Sequence, residues 1–117
     1  MEMKTWKADD VFVVQPLVKR IDSATATDFK ATMIDYINGG NMRIVLNLSN
    51  VDFIDSTGLG MIISTLKSLG RDGIMTICCL SDIVKSLFSL TRMNRLFEIS
   101  PSVEEAIRKA QGQPDHG

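Results

Sequence analysis

The sequence is poor in the side chains from which catalytic sites are built. Its 117 residues include one histidine, His116, which lies in a polar segment at the end of the chain. Without a second histidine, neither a Ser-His-Asp nor a Cys-His arrangement can form in the folded body. Glycine-rich phosphate loops and the ligand spacing of metal sites are missing as well. We therefore expect a protein that is not an enzyme and that needs no cofactor or metal.

Cysteine is also scarce, and the two cysteines present, Cys78 and Cys79, are neighbours in an apolar run. A disulfide between neighbours is strained, and the spacing is not the Cys-x-x-Cys of a redox site. In a strand the two side chains would point to opposite faces. We predict that both are buried, reduced and act as small hydrophobic residues.

Long apolar runs and an excess of one charge are absent too. No apolar run approaches the roughly 18 residues that a membrane-spanning helix needs. Residues 1–10 carry both acidic and basic side chains, which the core of a signal peptide does not tolerate. The net charge of −1 offers no basic surplus for nucleic acid or an anionic membrane. We expect a cytoplasmic protein that binds no nucleic acid and does not insert into a membrane.

The chain does contain an alternation of short β-branched runs and amphipathic stretches. Predicted strands cover residues 3–6, 11–18, 43–48, 74–80 and 96–99. Three of the four predicted helices follow the N-cap residues Thr25, Ser81 and Ser102. Because single helices separate the strands, the crossovers are right-handed and the sheet is mostly parallel. The sequence predicts one α/β domain over residues 1–110, with a four- to five-stranded mixed sheet and about four helices, and a flexible tail over residues 111–117.

One segment, residues 50–60, concentrates acidic, hydroxyl and glycine residues at the start of the second predicted helix. Open α/β sheets place functional sites in such loops, beyond the carboxyl ends of the strands. In a purely structural interpretation, Asp, Ser and Thr cap the helix, while Gly58 and Gly60 allow close packing. In a functional interpretation, a phosphate on Ser56 would meet free N–H groups and the positive end of the helix dipole. It would also add about 1.5 to 2 negative charges beside Asp52 and Asp55, which suits a switch that a partner detects.

The run Ile54-Asp55-Ser56-Thr57-Gly58-Leu59-Gly60 resembles the phosphorylation motif of the STAS domain, the fold of bacterial anti-sigma factor antagonists. The hydrophobic strand over residues 44–48 precedes the motif, as in that family. Residues 21–26 are similar to the start of the family's first helix, and residues 84–88 and 96–97 are similar to its later segments. The resemblance spans about residues 11–110 and implies a single STAS-like domain.

This resemblance implies a partner switch controlled by phosphorylation. Ser56 would be the target of a serine kinase that is also the binding partner, an anti-sigma factor in that family. The unphosphorylated protein would bind this kinase, the phosphorylated protein would release it, and a metal-dependent serine phosphatase would reset the switch. Thr57 is a possible secondary target, which we interpret first as a cap of the helix. Asp22 and Asp55 would flank the surface that faces the kinase.

The predicted contact surface continues from Gly58 along the second helix. Four side chains lie off the apolar stripe of this helix, namely Met61, Ser64, Thr65 and Ser68. Soft methionine side chains suit interfaces, so we include Met61 among the partner-binding residues. Many STAS domains have a glycine where this chain has Lys19-Arg20, and we expect this difference to alter the choice of partner more than the fold.

Two other functions are consistent with the same fold. The protein could be a scaffold module of a regulatory complex, with the motif serving only as a helix cap. It could also be a small-molecule or nucleotide-binding enzyme, which the missing base, metal site and phosphate loop disfavour. For the oligomeric state we expect a monomer or a weak dimer, because an unpaired edge strand permits weak self-association.

Overall fold

The computed structural model describes residues 1–112, so His116 and most of the predicted flexible tail lie outside the described residues. The described strands are β1 Met3–Ala8, β2 Val11–Pro16, β3 Arg20–Ile21, β4 Arg43–Asn47, β5 Phe53–Ile54, β6 Ile74–Cys78 and β7 Glu98–Ser100. The described helices are α1 Ala26–Asn38, α2 Ser56–Leu69, α3 Asp82–Leu90 and α4 Val103–Ala110, with a 3₁₀ turn over Met93–Arg95. The predicted α/β class is confirmed.

The main sheet has five strands in the order β1-β2-β4-β6-β7. The β1–β2 hairpin is antiparallel, with Trp6 opposite Val13, and the other neighbours in this sheet run parallel. The predicted mixed, mostly parallel sheet is therefore confirmed. A second, two-stranded sheet pairs β3 with β5 in parallel, bringing Ile21 alongside Ile54.

Strand β4 lies at the centre of the main sheet and is buried on both faces. The side chains of Ile44 and Leu46 belong to the large core on one face, and Val45 belongs to a smaller core on the other. All three are fully buried. This burial explains why the sequence of the strand is a continuous apolar run, and it confirms the predicted central position.

The helices divide unequally between the two faces. The large core contains buried side chains from α1, α2 and α3, for example Phe29, Ile62 and Phe88. The smaller core is closed by α4, through Ala106 and Ala110. Since α3 follows β6 and α4 follows β7, two neighbouring parallel strands lead into helices on opposite faces of the sheet.

Of the strand boundaries that differ from the prediction, two have a clear local reason. Strand β6 ends at Cys78 because Cys79 has a left-handed backbone, with φ of 66°. Cys79 is only half-buried, so the prediction that both cysteines are buried is wrong for Cys79. Cys78 is buried, and this burial raises the pKa of its thiol well above the usual range. Strand β7 starts at Glu98 because the N–H of Leu96 still donates to the carbonyl of Met93 in the preceding turn (3.0 Å).

The predicted N-caps of two helices are confirmed, and the third differs. The hydroxyls of Ser81 and Ser102 each accept a hydrogen bond from the N–H three residues ahead, both at 3.3 Å. Thr25 does occupy the N-cap position of α1, but its side chain does not cap the helix. Its hydroxyl instead accepts from the N–H of Asp22 and donates to the carbonyl of Arg20, each at 3.0 Å.

Candidate functional site

The start of α2 is organised by the carboxylate of Asp55. Asp55 is the N-cap, and its Oδ1 accepts a hydrogen bond from the N–H of Gly58 at 2.8 Å. Its Oδ2 accepts from the N–H of Ser23 at 3.1 Å, in the loop before α1. A single half-buried carboxylate therefore caps one helix and ties it to the segment that precedes another.

The two hydroxyl residues of the motif are exposed and do not cap the helix. Ser56 and Thr57 are the first two residues of α2, and within residues 1–112 neither hydroxyl makes a hydrogen bond. The interpretation of Thr57 as a cap is wrong, because the extended backbone of Asp55 (φ −96°, ψ −177°) already brings a carboxylate to this position. The hydroxyl of Ser56 is consequently available at the surface.

Gly58 and Gly60 differ in their surroundings. Gly58 is buried, and a Cβ at this position would lie 2.0 Å from the carbonyl oxygen of Ile21. Contacts that short do not occur, so the close approach of α2 to β3 requires a glycine. A Cβ on Gly60 would meet nothing within 4 Å. The prediction of close packing is confirmed for Gly58 and wrong for Gly60.

The β3–β5 pair holds the two halves of the site together. The N–H of Asp52 donates to the carbonyl of Lys19 at 2.8 Å, and the N–H of Asp55 donates to the carbonyl of Ile21 at 3.4 Å. The pair was not predicted from the sequence, because each strand has only two residues and shows no alternation. It fixes the loop before α1 against the loop before α2.

Asp22 lies in the loop that β3 enters, beside the capped start of α2. The Nε of Arg20 donates to its Oδ2 at 3.1 Å, and the N–H of Ala24 donates to its Oδ1 at 3.0 Å. The hydrogen bond from Arg20 is the main cause that lowers the pKa of Asp22 below its ordinary value of 3.8, against an opposing effect of desolvation. The guanidinium of Arg20 also stacks over the ring of Phe53, 4.1 Å from its centroid.

The Lys19-Arg20 pair therefore has a defined place in this site. Arg20 is held between a carboxylate and an aromatic ring, whereas Lys19 makes an exposed ion pair with Asp52 at 3.7 Å. Both cations lie on the segment that pairs with Asp52 and Phe53, a few residues before α2 begins.

Beyond the motif, fewer of the predicted contact residues of α2 are exposed than the sequence suggested. Met61 is half-buried and, with α1 residues such as Lys30 and Asp35, lines an open groove of about 480 Å³. Thr65 is fully buried, and its hydroxyl donates to the carbonyl of Met61 at 2.8 Å. The prediction that Thr65 lies on the contact face is therefore wrong, and Ser68 is the member of that set that is exposed.

The site presents the exposed hydroxyl of Ser56 at the start of α2. Within residues 1–112, no group of three or more His, Cys, Asp or Glu side chains could hold a metal ion. Both nearby carboxylates, of Asp22 and Asp55, already accept hydrogen bonds from the protein. In the same range, none of the helices has the length and apolar character needed to cross a membrane.

Comparisons with known proteins agree with this architecture. Residues 3–106 match the model of the STAS domain. A Thermotoga neapolitana protein, named as homologous to a candidate anti-sigma factor antagonist, is 32% identical over 107 residues, which cover 90% of this chain and 94% of the relative. The anti-sigma-B factor antagonist of Staphylococcus aureus is 32% identical over 85 residues, which cover 72% of this chain and 79% of the relative. The crystal structure of a candidate anti-sigma factor antagonist from Thermotoga maritima superposes with a TM-score of 0.84 at 29% identity, covering 93% of this chain and 94% of that chain.

Proposed function

The chain belongs to the STAS-domain family, and on that premise we propose that it is a cytoplasmic partner-switching regulator controlled by phosphorylation of Ser56. The unphosphorylated protein binds a serine kinase of the anti-sigma factor type, and the phosphorylated protein releases it. A metal-dependent serine phosphatase restores the binding form. The protein itself catalyses no reaction.

The observation that carries this proposal is the exposed, unbonded hydroxyl of Ser56 at the first position of α2. If the serine served as the helix cap, its modification would weaken the helix. Asp55 performs that task instead, so a kinase can modify Ser56 without removing the cap. The relatives named as anti-sigma factor antagonists support the same class of partner.

Electrostatics explains how the modification would be detected. A phosphate adds about 1.5 to 2 negative charges at neutral pH, close to the carboxylate of Asp55. The N-terminus of α2 stabilises an anion at this position, so the local fold tolerates the phosphate. A partner whose surface is complementary to a neutral serine would instead meet a concentrated negative charge, which reduces its affinity.

The modification is tested by intact mass spectrometry of the protein from its own organism, with and without phosphatase treatment. We expect a form heavier by one phosphate, about 80 Da, that phosphatase removes and that is missing from Ser56→Ala. Thr57→Ala and Ser68→Ala serve as matched controls, because both hydroxyls are exposed on the same helix, and they should keep the heavier form. A heavier form that survives Ser56→Ala would contradict the assignment of the residue.

The switch is tested separately by affinity capture of the kinase. Ser56→Ala should retain the partner under all growth conditions, whereas Ser56→Glu should bind it at least about tenfold more weakly, a difference of about 1.4 kcal/mol. Equal binding by wild type, Ser56→Ala and Ser56→Glu would overturn the switch. It would leave a scaffold module of the same fold, with Ser56 as an ordinary surface residue.

A further inference from the structure

Helix α3 carries two apolar stripes, and the protein itself covers only one of them. Val84 and Phe88 lie one turn apart and are buried in the large core. Ile83, Leu87 and Leu90 form the second stripe, with spacings of four and three residues that place them on one face of the helix. The switch proposed for the start of α2 makes no use of this second stripe.

Among residues 1–112, the two most exposed large hydrophobic side chains belong to this second stripe. Ile83 is 70% exposed and Leu90 is 85% exposed. Leu87 lies between them along the helix and is half-buried against the large core. Isolated exposed apolar side chains are ordinary, but a row of them on one helix face indicates an interaction surface.

The edges of the main sheet are less suited to association between copies of this chain. The sheet ends in β1 on one side, and this strand carries the exposed residues Lys4 and Lys7. Lysines on an edge strand oppose its pairing with a second copy. The strand at the other edge, β7, has only three residues. An interface between copies is therefore better formed by α3 than by the edge strand expected from the sequence.

The second stripe is complementary to itself. If two copies of α3 pair antiparallel and are centred on Leu87, Ile83 of each copy lies beside Leu90 of the other. The exposed charges at the two ends of the helix are opposite, since Asp82 lies in the first turn and Arg92 directly follows the C-cap. An antiparallel pair therefore brings Asp82 of each copy near Arg92 of the other, and it also aligns the two helix dipoles favourably.

We propose that the second stripe of α3 forms a weak, two-fold symmetric dimer of this chain. The nine residues of the helix span about 14 Å. A contact between two such helices buries less than the roughly 1,200–2,000 Å² of stable interfaces and is typical of transient association. We expect a dissociation constant on the order of 0.1–1 mM, so the chain is a monomer when dilute and dimerises when concentrated.

Sedimentation velocity of the full chain, from about 10 μM to 1 mM, tests the dimer. We expect the average mass to rise from that of one chain toward that of two. Ile83→Lys and Leu90→Lys should each weaken association at least about tenfold, because each inserts a charge into an apolar contact. Both positions are exposed enough for the fold to tolerate the change. Trp6→Thr, which removes an exposed ring from the edge strand, is the control and should associate as the wild type does. A mass that stays at one chain, or wild-type association of both α3 variants, would overturn the proposal.

A charge exchange tests the antiparallel arrangement separately. Asp82→Arg and Arg92→Asp should each weaken association by roughly five- to tenfold, since each replaces two attractive end contacts with two repulsive ones. An equimolar mixture of the two variants should recover most of the wild-type association, because both end contacts of the mixed dimer again join opposite charges. Recovery in the mixture also shows that both variants are folded. A mixture that associates no better than either variant alone would overturn the antiparallel dimer.

Discussion

At the scale of single residues, Gly58 and Gly60 lie on one helix but face different surroundings. Gly58 lies against the backbone of Ile21, where a methyl group has no space. Gly60 faces open space in the interior of α2, where a glycine lowers helix stability. The first glycine is needed for packing, whereas nothing in the structure accounts for the second.

The two glycines give a matched pair of stability measurements. We expect Gly58→Ala to lower the free energy of unfolding by about 2–4 kcal/mol, because a backbone carbonyl cannot move aside as a flexible side chain can. Gly60→Ala should raise it by about 0.5–1 kcal/mol through helix propensity. Urea denaturation with fixed m-values measures both. Similar effects of the two substitutions would contradict the close contact with Ile21.

The carboxyl group of Asp22 gives a pH-dependent prediction at the same scale. Its pKa is lowered from 3.8 in the folded protein, mainly by the hydrogen bond from Arg20. A depressed folded pKa means that the carboxylate stabilises the fold above the unfolded pKa, and that this contribution is lost as the pH falls through the folded value. Carboxyl NMR titration should give a midpoint below 3.8.

Substitution of the neighbouring cations isolates the cause of this shift. Arg20→Gln should raise the midpoint of Asp22 toward 3.8, because the strongest donor to the carboxylate is lost. Lys19→Gln should not, since Lys19 pairs with Asp52. If the midpoint of Asp22 were the same in all three proteins, the ion pair with Arg20 could not be its cause.

At the scale of elements, the sequence predicted the periodic segments and the caps by Ser81 and Ser102, but not the missing side-chain cap at Thr25. The stripe of apolar residues in α1 and the β-branched run of β4 follow from the spacing of side chains. The β3–β5 pair did not follow, because it joins two-residue segments more than 30 positions apart. The burial of Thr65 could have been predicted, since it lies three residues after Ile62 and four before Leu69, both buried.

The sequence predicted that the motif residues lie together, but it did not predict the contact that each of them makes. The motif predicted Asp55, Ser56 and Gly58 as site residues, and all three lie together at the start of α2. Which side chain caps the helix depends on the backbone angles of Asp55, which no spacing rule supplies. The contact between Gly58 and Ile21 likewise requires the position of a strand that the sequence did not predict.

Helix α4 gives a prediction at the scale of one element. Its eight residues close the smaller core, and the hydroxyl of Ser102 accepts from the N–H of Glu105 at its start. Ser102→Ala should lower the free energy of unfolding by about 1 kcal/mol and increase amide hydrogen exchange in α4. Ser86→Ala, on the exposed surface of α3, should be neutral or slightly stabilising. Unchanged exchange in Ser102→Ala would exclude a capping role.

At the scale of the whole molecule, the proposed switch changes charge without changing the fold. The net charge of −1 would become about −2.5 to −3 on phosphorylation. Three contacts fix the start of α2. The carboxylate of Asp55 caps the helix and also accepts a hydrogen bond from Ser23, and Gly58 packs against Ile21. These contacts leave the helix little freedom to move when an exposed neighbour is modified.

The phosphorylated protein should therefore keep its structure. We expect amide NMR differences between the phosphorylated and unphosphorylated forms to be confined to the loop before α1 and to the first two turns of α2, with signals of α4 unchanged. The free energy of unfolding should change by less than about 1 kcal/mol, because attraction to the helix N-terminus offsets repulsion from Asp55. Ser68→Glu is the matched control for an added charge on the same helix. Differences that extend across the sheet to α4 would show that the switch acts through a change of conformation, since salt largely screens the field of an exposed charge beyond a Debye length of about 10 Å.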